Sequence, residues 1–366
     1  MRLCLELAEQ GAGRVSPNPM VGAVLVGTDG TLLGQGWHRE YGGPHAEHHA
    51  IQDADRRYGS DALENATLYV NLEPCVHHGK TPPCTDAILA KKIPRVVVGM
   101  SDPFSAVDGR GIRHLRGHGV EVTEGILEHQ CRRFNEAFIR HVQTGRPLVV
   151  LKLAQTLDGR IARQRGESGW ISGEASRGLV HHWRATMDAV MVGTGTATAD
   201  DPALTVRHVE GRPPVRIVLD RQGRLSAGLK LFSDDHAAST IVFTSEKALL
   251  PYEMALVERG GRVFRVGESD ERLDLTAAIE KLGEEGGIEG RPLQSILVEG
   301  GGQVARSLLK ADLVDRLYLF VAPKIFGAGP LGLDGPGLAA SEDPFVEYDW
   351  EIVGEDALFR GYRREA

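Results

Sequence analysis

The feature that most constrains the fold of this chain is a set of metal-binding side chains that lie far apart in the sequence. His45 begins the short motif His45-Ala46-Glu47, whereas Cys75 and Cys84 each follow a proline. One histidine and two thiolates are common ligands of zinc, which binds four groups in a tetrahedron. A fold that uses all three must bring distant segments to one point. Strand ends and helix starts of an α/β sheet meet in this way at one edge.

The same residues predict a catalytic metal site. Three protein ligands leave the fourth position of a zinc ion open for water, whose pKa the metal lowers to roughly 7. Glu47 lies two residues after His45, so it points in another direction and can move protons beside the metal. The pattern H-x-E, followed by P-C and a second cysteine, is typical of zinc-dependent nucleobase deaminases. The alternatives are a structural zinc or buried cysteines without metal, and neither explains Glu47.

Hydrophobic periodicity and turn residues predict the elements around this site. Helices are expected over residues 3–10, 45–57, 84–91 and 134–141, and strands over residues 22–26, 32–37, 67–72 and 95–100. The first two strands flank a turn that contains Gly30, which is typical of a hairpin. A glycine-ended loop is expected from Asp102 to Gly111. The alternation of helices and strands indicates an α/β domain with a partly parallel sheet.

The composition is that of a globular protein of two domains. The chain has 366 residues, 42% of them hydrophobic, and domains usually have about 50–250 residues. A net charge of −8 makes nucleic acid an unexpected partner, because binding it needs cationic side chains. Four cysteines are too few for a disulfide framework, so we expect a reducing cytoplasm, with Cys4 and Cys131 as core thiols. Glu6 and Glu9 and the lack of a run of roughly 18 apolar residues lead us to expect no signal peptide or membrane span.

A turn cluster at residues 144–147 predicts a boundary between domains of residues 1–144 and 147–366. Beyond it, strands are expected near residues 148–153, 189–192, 215–219, 240–244, 263–266, 295–298 and 316–321, and helices near residues 173–184, 275–284 and 303–309. Glycine-containing turns at residues 193–196 and 300–302 follow strands. Such turns bind phosphates through backbone N–H groups, so the pair suggests a dinucleotide. A tight turn without a ligand is the alternative for each.

The insertion between the two cysteines carries a family resemblance. Residues 74–84 read P-C-x-H-x-G-K-T-P-P-C, and Asn18 lies between two prolines. Both features resemble the deaminase half of the bifunctional riboflavin biosynthesis proteins. The resemblance implies a cytidine-deaminase-like α/β/α domain, with zinc on His45, Cys75 and Cys84 and with Glu47 as the catalytic residue. It also implies that the pyrimidine substrate is bound by Asn18, His38, His77, Lys80 and Thr81.

The second half of the chain resembles the reductase domain of the same family. The resemblance rests on LKLA at residues 151–154, LDGR at 157–160, GESGWI at 166–171, ADDPALTVR at 199–207 and VEGG at 298–301. With the deaminase half, it covers essentially the whole chain. It implies a dihydrofolate-reductase-like α/β domain that uses NADPH. The implied cofactor contacts are Ala154, Trp170, Thr196, Asp200, Gly301, Gly302, Gln303 and Val304.

The resemblance further implies which residues hold the substrate of the reductase. They are Ser168, Arg184, Leu204, Arg207 and Glu299. We add Lys152, because a lysine within an apolar strand needs a partner. Two arginines suit a phosphate, since each guanidinium group can bind two of its oxygens. The alternative for the two arginines is solvation at the surface, and for Trp170 it is packing.

A preference for NADPH over NADH is a separate prediction. No acidic residue is evident in the role that binds the ribose 2′-hydroxyl in many NAD-binding folds. Arg221 follows the strand at residues 215–219, where the family often has a serine near the 2′-phosphate. An arginine at this place can pair with that phosphate, or it can simply face solvent.

The implied function is a two-step conversion in riboflavin biosynthesis. Zinc-dependent deamination of 2,5-diamino-6-ribosylamino-4(3H)-pyrimidinone 5′-phosphate would be followed by NADPH reduction of the ribosyl group, which yields 5-amino-6-ribitylamino-uracil 5′-phosphate. We therefore expect small-molecule partners, no nucleic acid, no membrane and a homo-oligomer of undetermined size. The alternatives are a nucleic-acid base deaminase fused to an NADPH-dependent reductase, and a protein with a structural zinc.

Overall fold

The computed structural model describes residues 1–78, 82–164, 166–167, 169–269, 271–287, 290–333 and 345–363. The chain forms two compact units, Met1–Gly145 and Arg146–Ala366. Within the ranges described, none of the helices combines the length and the apolar character needed to cross a membrane.

The first unit is a mixed five-stranded sheet with helices packed on it. Its strands are β1 (Gly22–Val26), β2 (Leu32–Trp37), β3 (Thr67–Leu72), β4 (Arg95–Met100) and β5 (Glu121–Thr123), in the order β2-β1-β3-β4-β5. Its helices are α1 (Arg2–Glu9), α2 (Ala46–Tyr58), α3 (Cys84–Ala90), α4 (Arg110–Gly117), α5 (Glu128–Phe134) and α6 (Glu136–Thr144), with a 3-10 helix at Ser60–Asn65. Strand β1 is antiparallel to β2 and β3, whereas β3, β4 and β5 are parallel.

The elements predicted up to residue 100 are confirmed, but those beyond it are confirmed only in part. Helix α4, strand β5 and helix α5 were not predicted, and the helix expected over residues 134–141 corresponds to α6, which is separated from α5 at Asn135. The side chain of Asn135 accepts a hydrogen bond from the N–H of Met20 at 2.9 Å and donates one to its carbonyl at 3.0 Å. Helix α4 begins where Glu73 accepts hydrogen bonds from the N–H groups of Gly109 and Ile112. Contacts with remote residues therefore set these boundaries.

Helix α2 packs very closely on β2, because β2 contains two glycines. A Cβ atom on Gly34 would lie 2.3 Å from the carbonyl oxygen of Ala50, and one on Gly36 would lie 2.5 Å from Cβ of His49. The buried face of α2 is formed by Ala46, Glu47, Ala50, Ile51 and Ala54. Since His45 immediately precedes α2 as its N-cap, this close packing also determines where His45 lies.

The second unit is built on a nine-stranded sheet. Its strands are β6 (Leu148–Thr156), β7 (Ala189–Gly193), β8 (Val215–Leu219), β9 (Thr240–Ser245), β10 (Arg262–Val266), β13 (Ser295–Val298), β14 (Arg316–Ala322), β15 (Glu347–Val353) and β16 (Asp356–Tyr362), and a separate ladder joins β11 (Glu268–Ser269) to β12 (Arg272–Leu273). Its helices are α7 (Glu174–Thr186), α8 (Thr194–Asp200), α9 (Lys230–Ser233), α10 (Glu253–Glu258), α11 (Leu275–Glu285) and α12 (Gly302–Lys310), with a 3-10 helix at Ala237–Ser239.

Seven neighbouring strands of this sheet are parallel. The order is β10-β9-β8-β7-β13-β6-β14-β16-β15, and only the pairs of β16 with β14 and β15 are antiparallel. Strands β7, β8 and β13 are buried along their whole length, as expected for parallel strands covered on both faces. The strands and helices predicted for this half are confirmed, while the short helices α8, α9 and α10 and the strands β15 and β16 were not predicted. The chain leaves β6, β7, β8 and β13 at one edge, where the charged and glycine-rich segments follow.

Replacement of Gly36 by alanine is expected to destabilise the first unit. The added Cβ would lie within 2.7 Å of three atoms of α2, and such overpacking costs roughly 1–3 kcal/mol. Gly117→Ala is the matched control, because a Cβ there would have no atom within 4 Å. Urea denaturation followed by circular dichroism measures both variants. Equal unfolding midpoints for Gly36→Ala and the unsubstituted protein would contradict the packing argument.

Candidate functional site

Three segments of the first unit bring His45, Cys75 and Cys84 together. His45 caps α2, Cys75 follows β3, and Cys84 is the first residue of α3. Nδ1 of His45 lies 3.5 Å from Sγ of Cys75 and 3.3 Å from Sγ of Cys84, and the three atoms lie within 4.8 Å of one another. One imidazole nitrogen and two sulfurs at this separation fit a zinc ion and leave one coordination position for another ligand.

The electrostatic surroundings favour thiolate at Cys75, whereas the hydrogen bond to Cys75 and burial raise the pKa of Cys84. The backbone N–H of Cys84 donates a hydrogen bond to Sγ of Cys75 at 3.3 Å. The hydrogen bond from the Cys84 thiol outweighs burial and, together with one from His45, lowers the pKa of Cys75 to about 4. The hydrogen bond to Cys75 in turn raises the pKa of His45. A metal ion that binds here would displace the protons that these groups share.

Glu47 lies in the first turn of α2 beside this cluster. Its side chain is buried, and Oε2 has no hydrogen-bonding partner among the described residues. Burial raises the pKa of the carboxyl group, and the positive charge of His45 opposes that shift only in part. A buried carboxylate oxygen without a partner is unusual in a folded protein. This environment suits a group that accepts a proton and passes it on.

Asn18 and His38 lie next to one another near the same cluster. The ring of His38 is buried, with its centroid 5.4 Å from that of His45. Nδ1 of His38 lies 3.0 Å from the carbonyl oxygen of Pro44, and Nε2 lies 3.0 Å from Nδ2 of Asn18. A carbonyl oxygen can only accept, so Nδ1 carries the proton and Nε2 accepts a hydrogen bond from the Asn18 amide. Oδ1 of Asn18 has no hydrogen bond within the described ranges and is therefore the atom available to a ligand.

The remaining residues predicted for this site lie in the insertion between the cysteines. The ring of His77 lies 6.0 Å from that of Phe104, measured between centroids, whereas Lys80 and Thr81 lie outside the described residues. The sequence analysis missed Asp102, which follows β4 and is buried. Burial raises the pKa of Asp102 to about 7. The signal that could have indicated it is an acidic residue two positions after a predicted strand.

In the second unit a charged cluster lies where β6 and β13 run side by side. Nε and Nη2 of Arg184 donate to the two carboxylate oxygens of Glu299 at 2.5 and 3.0 Å. Nζ of Lys152 lies 3.9 Å from Oε2 of Glu299, and its side chain is 16% exposed. Arg184 is 11% exposed and is therefore not a solvated surface arginine. Its guanidinium group already forms a bidentate ion pair with the carboxylate of Glu299.

The charges of this cluster depend on one another. Burial alone would raise the pKa of Glu299, but Arg184 and Lys152 outweigh it, so the pKa is lowered and the carboxylate stays ionised. Burial lowers the pKa of Lys152, although Glu299 opposes that shift. The cluster thus holds a buried lysine whose proton is more easily removed than that of a surface lysine.

Two further residues predicted to hold the reductase substrate, Leu204 and Arg207, lie on a loop beside α7. Leu204 is buried with φ of 52°. Arg207 is exposed, and its guanidinium group forms no ion pair within the described part of the chain. Ser168 lies outside the described residues. The sequence analysis also missed His181, a buried residue of α7 that accepts a hydrogen bond from the N–H of Arg207 at 3.1 Å.

The two glycine turns lie side by side, because β7 and β13 are parallel neighbours. A Cβ on Gly301 would lie 3.8 Å from Oγ1 of Thr196, and a Cβ on Gly195 would meet no atom within 4 Å. The turn predicted at residues 193–196 is mostly the start of α8, which begins at Thr194, whereas α12 begins at Gly302, the last residue of the other predicted turn. A helix start that follows a glycine presents backbone N–H groups to phosphates. The arrangement fits the diphosphate of a nucleotide cofactor. Of the predicted contacts, Asp200 ends α8, Gln303 and Val304 lie in the first turn of α12, and Ala154 lies on β6.

Two further residues predicted to contact the cofactor have definite surroundings. Trp170 is 71% exposed, so it is not a core packing residue, and it lines a cavity of about 190 Å³ together with Arg163, Lys324 and Phe326. Arg221 follows β8, and its Nη1 lies 3.5 Å from Oε2 of Glu268. Arg221 is therefore not simply solvated, since a carboxylate already faces it.

Comparison with known proteins relates both halves of the chain to one family. Residues 1–100 match the profile of the cytidine and deoxycytidylate deaminase zinc-binding region, and residues 147–356 match that of the RibD C-terminal domain. Riboflavin biosynthesis protein RibD of Actinobacillus pleuropneumoniae is 38% identical over 362 residues, which cover 98% of this chain and 93% of that protein. The protein of that name from Escherichia coli K12 is 37% identical over 357 residues, which cover 94% and 92%.

Solved structures match the fold over its whole length. A Thermotoga maritima protein, described as a diaminohydroxyphosphoribosylaminopyrimidine deaminase/5-amino-6-(5-phosphoribosylamino)uracil reductase, is 41% identical with a TM-score of 0.85, and the match covers 100% of this chain and 97% of that one. A RibD structure from Acinetobacter baumannii is 33% identical with a TM-score of 0.85, covering 100% and 98%.

Removal of one thiolate should empty the candidate metal site. We expect one zinc ion per chain in the unsubstituted protein and little in Cys75→Ser, since a neutral hydroxyl group is a poor zinc ligand. The loss of affinity should exceed the roughly 10–100-fold loss that follows when a group hydrogen-bonded to a ligand is removed. Cys131→Ser is the matched control, because Cys131 is a buried free cysteine outside the cluster. Elemental analysis measures the metal content, and full zinc occupancy in Cys75→Ser would show that another ligand set holds the metal.

Proposed function

Since the chain belongs to the RibD family of bifunctional deaminase/reductases of riboflavin biosynthesis, we propose which substrates it converts and which residues act on them. The first substrate is 2,5-diamino-6-ribosylamino-4(3H)-pyrimidinone 5′-phosphate, which the deaminase converts to the uracil. Reduction of the ribosyl group then gives 5-amino-6-ribitylamino-uracil 5′-phosphate. The observation that carries the proposal is the cluster of His45, Cys75 and Cys84 with Glu47 beside it, whose Oε2 has no hydrogen-bonding partner among the described residues.

Deamination would take place at that cluster. His45, Cys75 and Cys84 hold the zinc ion, which supplies an activated water nucleophile when it is bound. Glu47 would be the group that moves protons here: its Oε2, which lacks a partner in the described part of the chain, would accept a proton and pass it to the leaving amine. Its raised pKa brings the carboxyl group closer to the pH at which it must both gain and lose a proton.

Substrate recognition in the deaminase would begin at Asn18. Because His38 accepts a hydrogen bond from the Asn18 amide, Asn18 presents its carbonyl oxygen to a donor on the pyrimidine ring. His38 thus orients Asn18 through a ring whose two nitrogens are both engaged. His77, Lys80 and Thr81 are proposed to bind the remaining polar groups and the phosphate.

Reduction would take place at the edge of the larger sheet. NADPH supplies the hydride that reduces the ribosyl C1 when it is bound. Arg207, whose guanidinium forms no ion pair with any residue that the structure describes, is the cation best placed for the phosphate, while Arg184 orients Glu299. Glu299 then holds Nζ of Lys152 and accepts hydrogen bonds from sugar hydroxyls. This division differs from the expectation that both arginines bind the phosphate, and the bidentate Arg184–Glu299 pair supports it.

The proposal includes the remaining expectations of the sequence analysis. The deaminase domain is assigned to residues 1–144 and the reductase domain to residues 147–366, and the two compact units support this division. Ala154, Trp170, Thr196, Asp200 and the turn at Gly301 to Val304 are assigned to NADPH, and Ser168 and Leu204 to the substrate. A cytoplasmic location, a homo-oligomeric state and the lack of a nucleic-acid partner stay predictions.

The two activities are expected to be separable. Glu47→Gln keeps the size of the side chain and all three zinc ligands, but an amide cannot accept the proton of the water. General acid–base groups contribute roughly 10²–10⁴-fold, so deamination should fall by at least that factor while zinc content stays normal. NADPH oxidation with the already deaminated substrate should stay near that of the unsubstituted enzyme. Ammonia release and NADPH absorbance measure the two steps separately.

Arg207→Ala is the converse variant. It should weaken reduction and leave ammonia release unchanged, because Arg207 belongs to the second unit. Deamination at the unsubstituted rate in Glu47→Gln would disprove the role of Glu47 in proton transfer. Loss of reduction of the deaminated substrate in the same variant would disprove the division of the chain into two catalytic domains.

Arg221 is expected to contribute to a preference for NADPH. Arg221→Ala should raise the KM for NADPH several-fold with little change for NADH, because an ion pair at a partly exposed site contributes up to about 1 kcal/mol. Glu268→Gln is the matched control, since it removes the carboxylate that competes for Arg221, and it should leave the KM for NADPH equal or lower. Equal efficiency with both cofactors would contradict the preference itself. An unchanged KM for NADPH in Arg221→Ala would leave the preference without this explanation.

A further inference from the structure

A buried histidine holds the loop that carries Arg207. We propose that His181 is a positioning residue of the reductase: its Nδ1 atom anchors the backbone of Arg207, so that the guanidinium group of Arg207 is presented to the phosphate of the substrate. This inference rests on the proposed reductase function, in which Arg207 binds that phosphate.

Three side chains hold the loop at its backbone. The N–H of Arg207 donates a hydrogen bond to Nδ1 of His181 at 3.1 Å. One turn further along α7, Nη1 of Arg184 donates to the carbonyl oxygen of Thr205 at 3.2 Å. The buried Arg216 of β8 donates to the carbonyl oxygen of Ala203 at 3.1 Å. Of these contacts, the one to His181 acts at Arg207 itself.

The backbone of this loop needs such anchors. Leu204 and His208 have φ values of 52° and 68°, in the left-handed region that residues with a Cβ atom disfavour. Conformations of this kind persist only where the surrounding structure fixes them. Arg207 immediately precedes His208, so without a partner for its N–H group the strained residue next to it could relax. The direction of the Arg207 side chain would then change.

The surroundings of His181 keep Nδ1 of its ring unprotonated, so that this atom can accept a hydrogen bond. A ring nitrogen of histidine accepts a hydrogen bond only when it carries no proton. Burial, followed by the positive charges of Arg184 and Arg207, lowers the pKa of His181 to about 4. At neutral pH the ring is therefore uncharged, with its proton on Nε2 and Nδ1 free to accept. The same two arginines disfavour a protonated His181 that would bind phosphate by charge.

The test compares three substitutions in α7. His181→Leu removes the acceptor, and His181→Gln restores an uncharged one in its amide oxygen. His182→Leu is the matched control, because His182 is the exposed neighbour in the same helix. Steady-state reduction of the deaminated phosphate substrate by NADPH gives kcat and both KM values for each variant.

The expected effect is confined to binding of the phosphorylated substrate. In His181→Leu the KM for this substrate should rise roughly 5–10-fold, as expected for one lost hydrogen bond, with kcat and the KM for NADPH nearly unchanged. His181→Gln and His182→Leu should behave like the unsubstituted enzyme. If the leucine variant does not fold, His181→Asn serves instead, since its shorter amide does not reach the N–H of Arg207.

A double substitution separates positioning from a general loss of structure. If His181 acts through Arg207, His181→Leu should add nothing to the KM of Arg207→Ala. An additive loss in the double variant, or an unchanged KM in His181→Leu, would overturn the inference. Failure of the unsubstituted protein to oxidise NADPH with this substrate would instead overturn the proposed function.

Discussion

Both candidate sites depend on the parallel pairing of neighbouring strands. In a parallel pair the chain leaves both strands at the same edge of the sheet, so residues that are remote in the sequence become neighbours there. In the first unit β3 and β4 pair in this way, so that the segment with Cys75 and the segment with Asp102 emerge at one edge. In the second unit β13 lies between β6 and β7. This single arrangement brings Glu299 beside Lys152 and places the two glycine turns next to each other.

Each unit contains a glutamate of low exposure, and the pKa values of the two carboxyl groups are shifted in opposite directions. Glu299 is held by both prongs of Arg184 and faces Lys152, so its charge is compensated and its position is determined. Oε2 of Glu47 has no partner among the residues that the structure describes, and burial raises the pKa of Glu47. A compensated carboxylate suits the orientation of other groups, whereas an uncompensated one suits proton transfer. The contrast agrees with a hydrolytic step in one unit and a reductive step in the other.

Local patterns in the sequence predicted most of the strands and the three residues that the fold brings together as a candidate metal site. The apolar runs of β7, β8 and β13 lie in strands that are buried on both faces, which explains why they could be recognised without other information. Helix α4 and the break at Asn135 were missed, because their ends are set by Glu73 and Met20 from other parts of the chain. The alternatives were solvation at the surface for Arg184 and packing for Trp170. Both were excluded only by the exposure of the two side chains in the folded chain.

The sequence by itself determined which chemical groups are available and in what order they occur. A histidine, two cysteines and a glutamate carry their chemistry wherever they stand, and the family resemblance follows from their order and from the insertion between the cysteines. Only the tertiary structure decided which partner each group has. It paired Arg184 with Glu299, engaged both ring nitrogens of His38, left Oε2 of Glu47 unpaired and set His181 against the backbone of Arg207. The reason is physical: a hydrogen bond or an ion pair depends on distances of about 3–4 Å, and those distances arise only when segments remote in the sequence pack together.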